Sequence, residues 1–423
     1  MKVLLVNKFH YKKGGSETYY FTLAEALKRK GHEVIFFAMK DEEKNIPCEQ
    51  EKYFVSNASV QGGIKSKLNM VLHIAYSKEA YTNMKKLLAD EKPELVILNL
   101  VHKQITLSII DAIREYDTNL PIFWTMHDLI AVCPSYTMLD GQGNVCEKCL
   151  AGSYKPCVEN KCIKGSTLMS CLSVYEAYYI RKKKWYDQVN LFICPSEFYK
   201  NKLRQSHFTS SEIVSLRNPL PLNIKYELCT QDEGYVLYFG RLVKEKGIKT
   251  LIDAVQKVGC RLIVLGTGSM EDELKAYAKD MQNVEFKGFQ TGKALEDYVK
   301  NSRCVVLPSE WYENGPYSAM EAMAVGKPLI VSDNGGLPEL VDDGKNGYVY
   351  SARAGADALA ECIRKMIDLS KGEYAEMTRN SMEKAKRLFD SESYVVEIEK
   401  YYEATRKSQR KSKNDRKKEL RGD

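Results

Sequence analysis

Short runs of four or five apolar residues alternate with stretches of helical periodicity along almost the whole chain. Lys2–Val6 reads as a buried strand, followed by a loop over Asn7–Ser16 and a helix over Glu17–Lys30 that Gly31 stops. Val34–Ala38, Leu95–Leu98, Ile122–Thr125 and Leu191–Cys194 are the next predicted strands. A second series begins near Gly234, with strands at Tyr235–Phe239, Arg261–Leu265, Val284–Phe286, Cys304–Leu307 and Leu329–Val331. The runs are apolar throughout rather than alternating, which is the pattern of parallel sheets covered on both faces. Between the series, Arg217–Gly234 is rich in proline and polar residues and reads as a linker.

The expected fold class is therefore α/β: two doubly wound, Rossmann-like domains facing each other across a cleft. The predicted division is 1–216 for the first domain, 217–233 for the linker and 234–390 for the second domain. A helix over 391–405 is expected to return to the first domain, ahead of a tail over 406–423. In such sheets ligands bind at the carboxyl ends of the strands, so the residues just after strands carry the candidate chemistry.

Composition narrows the class. At 423 residues, 44% hydrophobic and 28% charged, the chain is an ordinary globular protein rather than a disordered one. No run approaches the ~18 apolar residues of a membrane span, and Val3–Val6 is too short for a secretory core. The expectation is a cytoplasmic protein, or one peripheral on the inner face of a membrane. The formal charge is +7, but Arg406–Asp423 alone holds nine Lys/Arg against three Asp/Glu. The body is thus close to neutral and no nucleic-acid partner is indicated. The tail is expected to be disordered. Between Tyr175 and Tyr186, aromatics adjoin four consecutive cations, Arg181 to Lys184. That run suits either an anionic membrane surface or an exposed helix with its aromatics in the core.

Three segments carry chemistry. After the first strand, Gly14 and Gly15 allow close backbone approach and positive φ, and Ser16 is a candidate cap for the next helix. The spacing is not that of a dinucleotide fingerprint, which argues against a nicotinamide enzyme. After Tyr235–Phe239, Arg241 and Lys246 are two cations at a sheet edge, suited to a diphosphate. After Cys304–Leu307, Glu313 precedes Gly315 and Pro316, and Pro316 suits the first position of a helix that carries Glu321. Carboxylates accept hydrogen bonds from paired hydroxyls, as on a sugar or a ribose. Gly335, Gly336 and Pro338 are expected to open a further helix with amides suited to an anion.

Together these segments resemble the retaining glycosyltransferases of family four, which have the GT-B fold. The resemblance runs to about residue 400 and rests on the E-x7-E pair Glu313 and Glu321, with GRLVKEKG upstream and GGLPELV downstream. It implies that Arg241 and Lys246 bind the donor diphosphate, Glu313 the donor sugar and Glu321 the nucleotide ribose. Gly14, Gly15, Asn314 and Gly315 complete the donor site, Gly288 and Phe289 fall in the base-binding loop, and His127 lies near the reacting centre. The catalytic set so implied is Glu313, His127, Arg241 and Lys246. His102, at the end of a strand on the same sheet edge, is a second-tier candidate. Many members carry Phe-Gly where this chain has Gly315-Pro316, which removes one backbone donor. No D-x-D pair is placed to hold a divalent ion, so a metal-free transfer is expected, with front-face attack and the departing phosphate taking the acceptor proton. The partners implied are a nucleotide-diphosphate sugar and a glycan or lipid-linked acceptor.

The chain departs from the family in a cysteine-rich insertion. Of twelve cysteines, six fall between Cys133 and Cys171. Cys146, Cys149, Cys157 and Cys162 are the candidate ligands of a structural zinc, with Cys133 a fifth. The competing reading is free thiols in a loop. Two other functions remain open at this stage: a nucleotide-sugar epimerase of the same architecture, and a non-catalytic binding module. The first needs a residue set for proton abstraction, and the second gives no reason for Glu313, Glu321, Arg241 and Lys246 to occur together.

Overall fold

The computed structural model describes residues 1–56 and 74–421. It contains two parallel sheets of six strands each. The first runs β2-β1-β3-β4-β5-β6, from β1 (Lys2–Val6), β2 (Glu33–Phe37), β3 (Leu95–Leu98), β4 (Ile122–Thr125), β5 (Leu191–Cys194) and β6 (Glu212–Ser215). The second runs β12-β11-β10-β7-β8-β9, from β7 (Tyr235–Phe239), β8 (Arg261–Leu265), β9 (Val284–Phe286), β10 (Cys304–Leu307), β11 (Leu329–Ser332) and β12 (Gly347–Tyr350).

Alternate residues of each strand enter opposite apolar layers. Leu4 and Val6 point into one cluster of the first sheet, and Val3 and Leu5 into the other. In the second sheet Val236 and Tyr238 divide from Leu237 and Phe239 in the same way. Both faces are buried, so neither face needs polar residues and the strands read as continuous apolar runs.

The topology fixes where loops meet. In the second sheet β7 lies between β10 and β8, so the chain order reverses between β7 and β10. The loops leaving those two strands diverge there and open a crevice, the place where doubly wound sheets bind ligands. In the first sheet the equivalent crevice lies between β1 and β3.

The linker is not loose. Leu220 is buried in the second domain's core, its N–H donates to Phe389 O at 2.9 Å, and the fully buried Lys327 donates to Gln231 O at 2.8 Å. The chain then returns to the first sheet. Helix Ser391–Arg421 buries Tyr394, Val395, Ile398 and Tyr402 against the layer that contains Val3 and Leu5. The tail expected to be disordered from Arg406 is instead helical to Arg421; 422 and 423 lie outside the described residues. Lysine and arginine are good helix formers, and a helix already nucleated by packing extends through them at little cost.

Candidate active site

The second domain supplies a preformed carboxylate. After β7, the chain passes Arg241 and makes a 3-10 turn over Lys244–Lys246. Gly247 follows with φ +66°, where a Cβ would lie 2.0 Å from the Pro308 carbonyl oxygen. Only glycine lets the loop after β7 lie so close to the loop after β10. Lys246 Nζ thereby donates to Glu313 Oε1, which also accepts from Ser309 Oγ at 2.7 Å and Trp311 Nε1 at 2.8 Å. Glu313 is 6% exposed. Burial pushes its carboxyl up, but the Lys246 charge and the three hydrogen bonds outweigh it and hold the group below its usual range. The carboxylate is ionised at neutral pH. All three donors meet Oε1, and Oε2 has no partner among the described residues.

Gly335 and Gly336 serve this same loop. They precede only a short 3-10 turn, Pro338–Leu340, so the expected anion-binding helix is absent. Gly335 has φ +67°, and a Cβ there would sit 2.4 Å from both the N and the O of Glu313. The Gly336 N–H donates to Glu313 O at 2.7 Å. The glycine pair is the bed on which the Glu313 backbone rests. Pro316 also differs from expectation: it is the N-cap, with extended ψ 137°, and the helix begins at Tyr317.

Glu321, on helix Tyr317–Ala324, belongs to a different environment. It has no hydrogen-bond partner among the described residues, and burial pushes its carboxyl up to about 7. A cavity of about 740 Å³ between helix Gly15–Arg29, β2 and the linker touches the predicted site residues only at Glu321. Arg241 is exposed and makes no ion pair among the described residues. Gly288 and Phe289 follow β9, two strands from β7; Gly288 O accepts from Gly266 N at 2.8 Å, and the Phe289 ring is 72% exposed.

The first domain supplies the facing groups. His127, two residues beyond β4, packs edge-on to Tyr19 with its Nε2 3.0 Å from Asn99 Oδ1. Asn99 Nδ2 donates to Val6 O, so Oδ1 is an acceptor, Nε2 carries the proton and Nδ1 is a free acceptor. Burial holds the imidazole at about 3, well below its usual range, so the ring is neutral at physiological pH. His102 has the same electrostatic state for the same reason, and Lys103 adds to it, but its Nε2 meets Tyr186 OH at 3.2 Å within the domain.

Gly14 and Gly15 bring a correction. Neither has a left-handed φ, and a Cβ at Gly15 would make only an ordinary 3.6 Å contact with Tyr317 Cδ2. Neither strain nor protein packing requires glycine there. The helix begins at Gly15 with Gly14 as N-cap, so Ser16 is helical; its Oγ donates to Glu17.

Sequence reasoning missed several buried polar groups of the first domain. Glu17 is 2% exposed and accepts from Asn7 Nδ2 at 3.3 Å and Ser16 Oγ at 3.1 Å. Asp128 is pushed up to about 6 by burial. Glu176, also raised by burial to about 7, accepts from the Lys103 N–H at 3.1 Å. Lys8 is held down near 8 by burial and then by Lys13 and Lys103. Asn7 and Asn99 directly follow β1 and β3. A polar residue immediately after an apolar strand was the available signal.

The expected zinc site finds no support. Among the described residues no group of three or more His, Cys, Asp or Glu side chains is arranged to hold a metal ion. Cys149 and Cys157 instead pack with Tyr154 in a small apolar cluster bordered by Cys162. Burial and the neighbouring sulfurs push Cys149 up to about 12 and Cys157 higher. The insertion is held by its own bonds: Tyr154 OH to Ala131 O at 3.3 Å, Gly141 N to Asn160 O at 3.1 Å, and Arg181 to Gly152 O at 3.1 Å. The insertion thus has a small core of its own.

Two end-to-end family matches bear on this arrangement. Residues 13–223 match the family described as Glycosyltransferase Family 4, and residues 224–387 match Glycosyl transferases group 1. The chain belongs to the family-4-like glycosyltransferases. The amylovoran biosynthesis glycosyltransferase AmsK of Erwinia amylovora is 28% identical over 202 residues, 44% of this chain and 49% of that one. The chain spans between about a third and three-fifths of the length of the first curated relatives it matches. Among solved structures, sucrose-phosphate synthase from Thermosynechococcus elongatus superimposes with a TM-score of 0.69 at 20% identity, covering 96% of this chain and 99% of that one. Anabaena HepE in complex with UDP-glucose gives 0.64 at 18% identity, covering 96% and 100%. Both likenesses establish the GT-B fold for this glycosyltransferase.

Proposed function

We propose that this glycosyltransferase moves a hexosyl group from a nucleoside diphosphate sugar to a hydroxyl of a glycan or lipid-linked acceptor. The transfer retains anomeric configuration, needs no metal ion, and serves the building of a surface polysaccharide or glycolipid. The observation that carries the reading is Glu313, an ionised carboxylate at the switch point of the second sheet with Oε2 left to accept sugar hydroxyls. A fold neighbour that holds UDP-glucose supports a nucleotide-sugar donor, and a relative named for amylovoran biosynthesis supports the polymer context.

The residues divide the work by their chemistry. Arg241 and Lys246 supply positive charge to the diphosphate as it leaves, the term that most lowers the barrier of such a departure. Lys246 keeps Glu313 charged in the free enzyme and shares its ammonium with the diphosphate when donor is present. Glu321 accepts from the ribose hydroxyls, and the exposed Phe289 ring offers a face to the base. Gly14 and Gly15, which no protein neighbour requires, give the donor room beside the first domain. Neutral His127 accepts a sugar hydroxyl through Nδ1. In the transfer the acceptor oxygen bonds to the anomeric carbon on the face the diphosphate leaves. The bond from that carbon to the phosphate oxygen breaks, and this oxygen takes the hydroxyl proton. No nucleophilic side chain enters the balance.

The stereochemistry tests it. NMR of the product formed from an α-linked nucleotide sugar is expected to give an α-glycoside. A β-glycoside would mean inversion and remove the front-face mechanism.

A further inference from the structure

Helix Thr167–Lys183 has two faces of opposite character. Its inner face buries Ser170, Leu172, Ser173, Glu176 and Ile180, and Glu176 there accepts from the Lys103 backbone N–H in the loop after β3. Its outer face carries Leu168, Cys171, Tyr175, Tyr178 and Lys182 at steps of three and four, which is one continuous stripe. Leu168 is 68% exposed, Tyr175 40% and Tyr178 45%. Soluble proteins rarely leave such a row of large apolar groups to water.

Along this segment the charge is almost all of one sign, although Lys183 pairs with Asp111 of the first domain at 3.7 Å. From Asn160 to Lys184 the only acidic residue is Glu176, and it is turned inward. Lys161 and Lys164 are exposed before the helix, and Lys182, Lys183 and Lys184 at its end. The aromatics nearest these cations do not share one role: Trp185 is fully buried, Tyr186 lies in the core, Tyr175 faces out, and the half-exposed Tyr178 packs one side on Tyr154, whose N–H donates to its hydroxyl at 3.1 Å. A second copy of the chain docking on the same face would set lysines against lysines, which disfavours a symmetric dimer. An anionic lipid surface matches both features: tyrosine rings sit at the headgroup level, aliphatic groups enter just below, and lysines meet the phosphates.

We propose that the outer face of helix Thr167–Lys183 rests on an anionic lipid bilayer, with Leu168, Tyr175 and Tyr178 at the headgroup boundary and the flanking lysines on its phosphates. The opposite face of the same helix reaches the loop after β3 through Glu176, so docking here would hold the carboxyl ends of the first sheet's strands near the membrane. The inference goes beyond the transfer reaction and is tested without donor or acceptor.

The full chain is co-sedimented with vesicles of phosphatidylcholine alone and of phosphatidylcholine mixed with phosphatidylglycerol. Binding to the mixed vesicles is expected to be roughly tenfold tighter and to weaken as salt is raised. Leu168→Ser with Tyr175→Ser, and separately Lys164→Glu with Lys182→Glu, are expected to lose that preference at unchanged unfolding temperature, while Tyr175→Phe keeps it. Equal binding to both vesicles by the wild type overturns the proposal whatever the variants do. So does full binding by both double variants, which would assign it to the basic C-terminal helix. Dissociation of a wild-type dimer by the same substitutions would give the face to a second copy and overturn it too.

Discussion

Asn314 Nδ2 donates to the Met126 carbonyl at 2.9 Å, and this bond ties the two halves of the site together. Asn314 follows Glu313, and Met126 precedes His127. Ser196 Oγ donates to Asn314 Oδ1 at 3.1 Å and completes the latch from the first domain. A donor-binding role for Asn314 is implied by resemblance; the geometry gives it a positioning role between domains.

Removal of that latch is the first test. Asn314→Ala loses both bonds and is expected to lower kcat/KM for the donor about tenfold, near 1.4 kcal/mol, mostly through KM. The stability change should stay near 1 kcal/mol, the net worth of a typical hydrogen bond. Kinetics identical to wild type would mean that the latch does not register the two halves.

Lys246→Ala strands a buried carboxylate. Breaking a buried pair costs about 3 kcal/mol in stability, because the remaining charge keeps two neutral donors and loses its counter-charge. Denaturant unfolding should record that loss, and kcat/KM should fall at least about tenfold. Adding Glu313→Gln is expected to restore much of the stability and none of the activity. Recovery of activity in the double variant would show that Glu313 is only structural.

Glu321 predicts a pH dependence of sign fixed by its burial. Its carboxyl titrates at about 7, so below that pH it is protonated and one oxygen stops accepting. Donor KM should therefore fall as pH rises from about 6 to 8. His127 stays neutral over this window and Glu313 stays ionised. Asp128, near 6, Glu176, near 7, and Lys8, near 8, also titrate in this window, so the Glu321 variant is needed to assign it. Glu321→Gln should flatten the upper part of the profile. A profile unchanged in that variant would give the titration to another group.

Gly335→Ala is expected to abolish activity, since its Cβ would displace the Glu313 backbone at 2.4 Å and its φ of +67° disfavours any side chain. Gly372→Ala is the control: it lies in helix Lys371–Phe389 with nothing within 4 Å of the new atom. Comparable activity in both variants would contradict the account of the Gly335 bed.

Much of this was legible because buried parallel strands announce themselves. Ten of the twelve strands follow from apolar runs, and β6 and β12 escaped because Glu212 and the Gly347–Tyr350 segment break that pattern. Lys246 and Glu313 could be placed together because each follows a strand, and β7 and β10 prove to be neighbours. Their bond, however, depends on Gly247 and Gly335, whose roles are steric and appear only when the loops are seen in contact. Gly14 and Gly15 read the same in sequence and have no such role. The cysteine spacing suggested a metal because spacing does not distinguish thiols that coordinate from thiols that pack; here Cys149 and Cys157 share an apolar cluster with Tyr154.

The central claim is that Glu313, in the crevice between β7 and β10, holds the sugar of a nucleotide donor. Nucleoside diphosphate release from a panel of nucleotide sugars, with acceptor lipids and EDTA present, tests it most directly. The prediction is that one donor is consumed by the wild type, that EDTA does not slow it, and that Glu313→Gln falls at least about tenfold. Consumption of no donor, or equal turnover by Glu313→Gln, would contradict the claim.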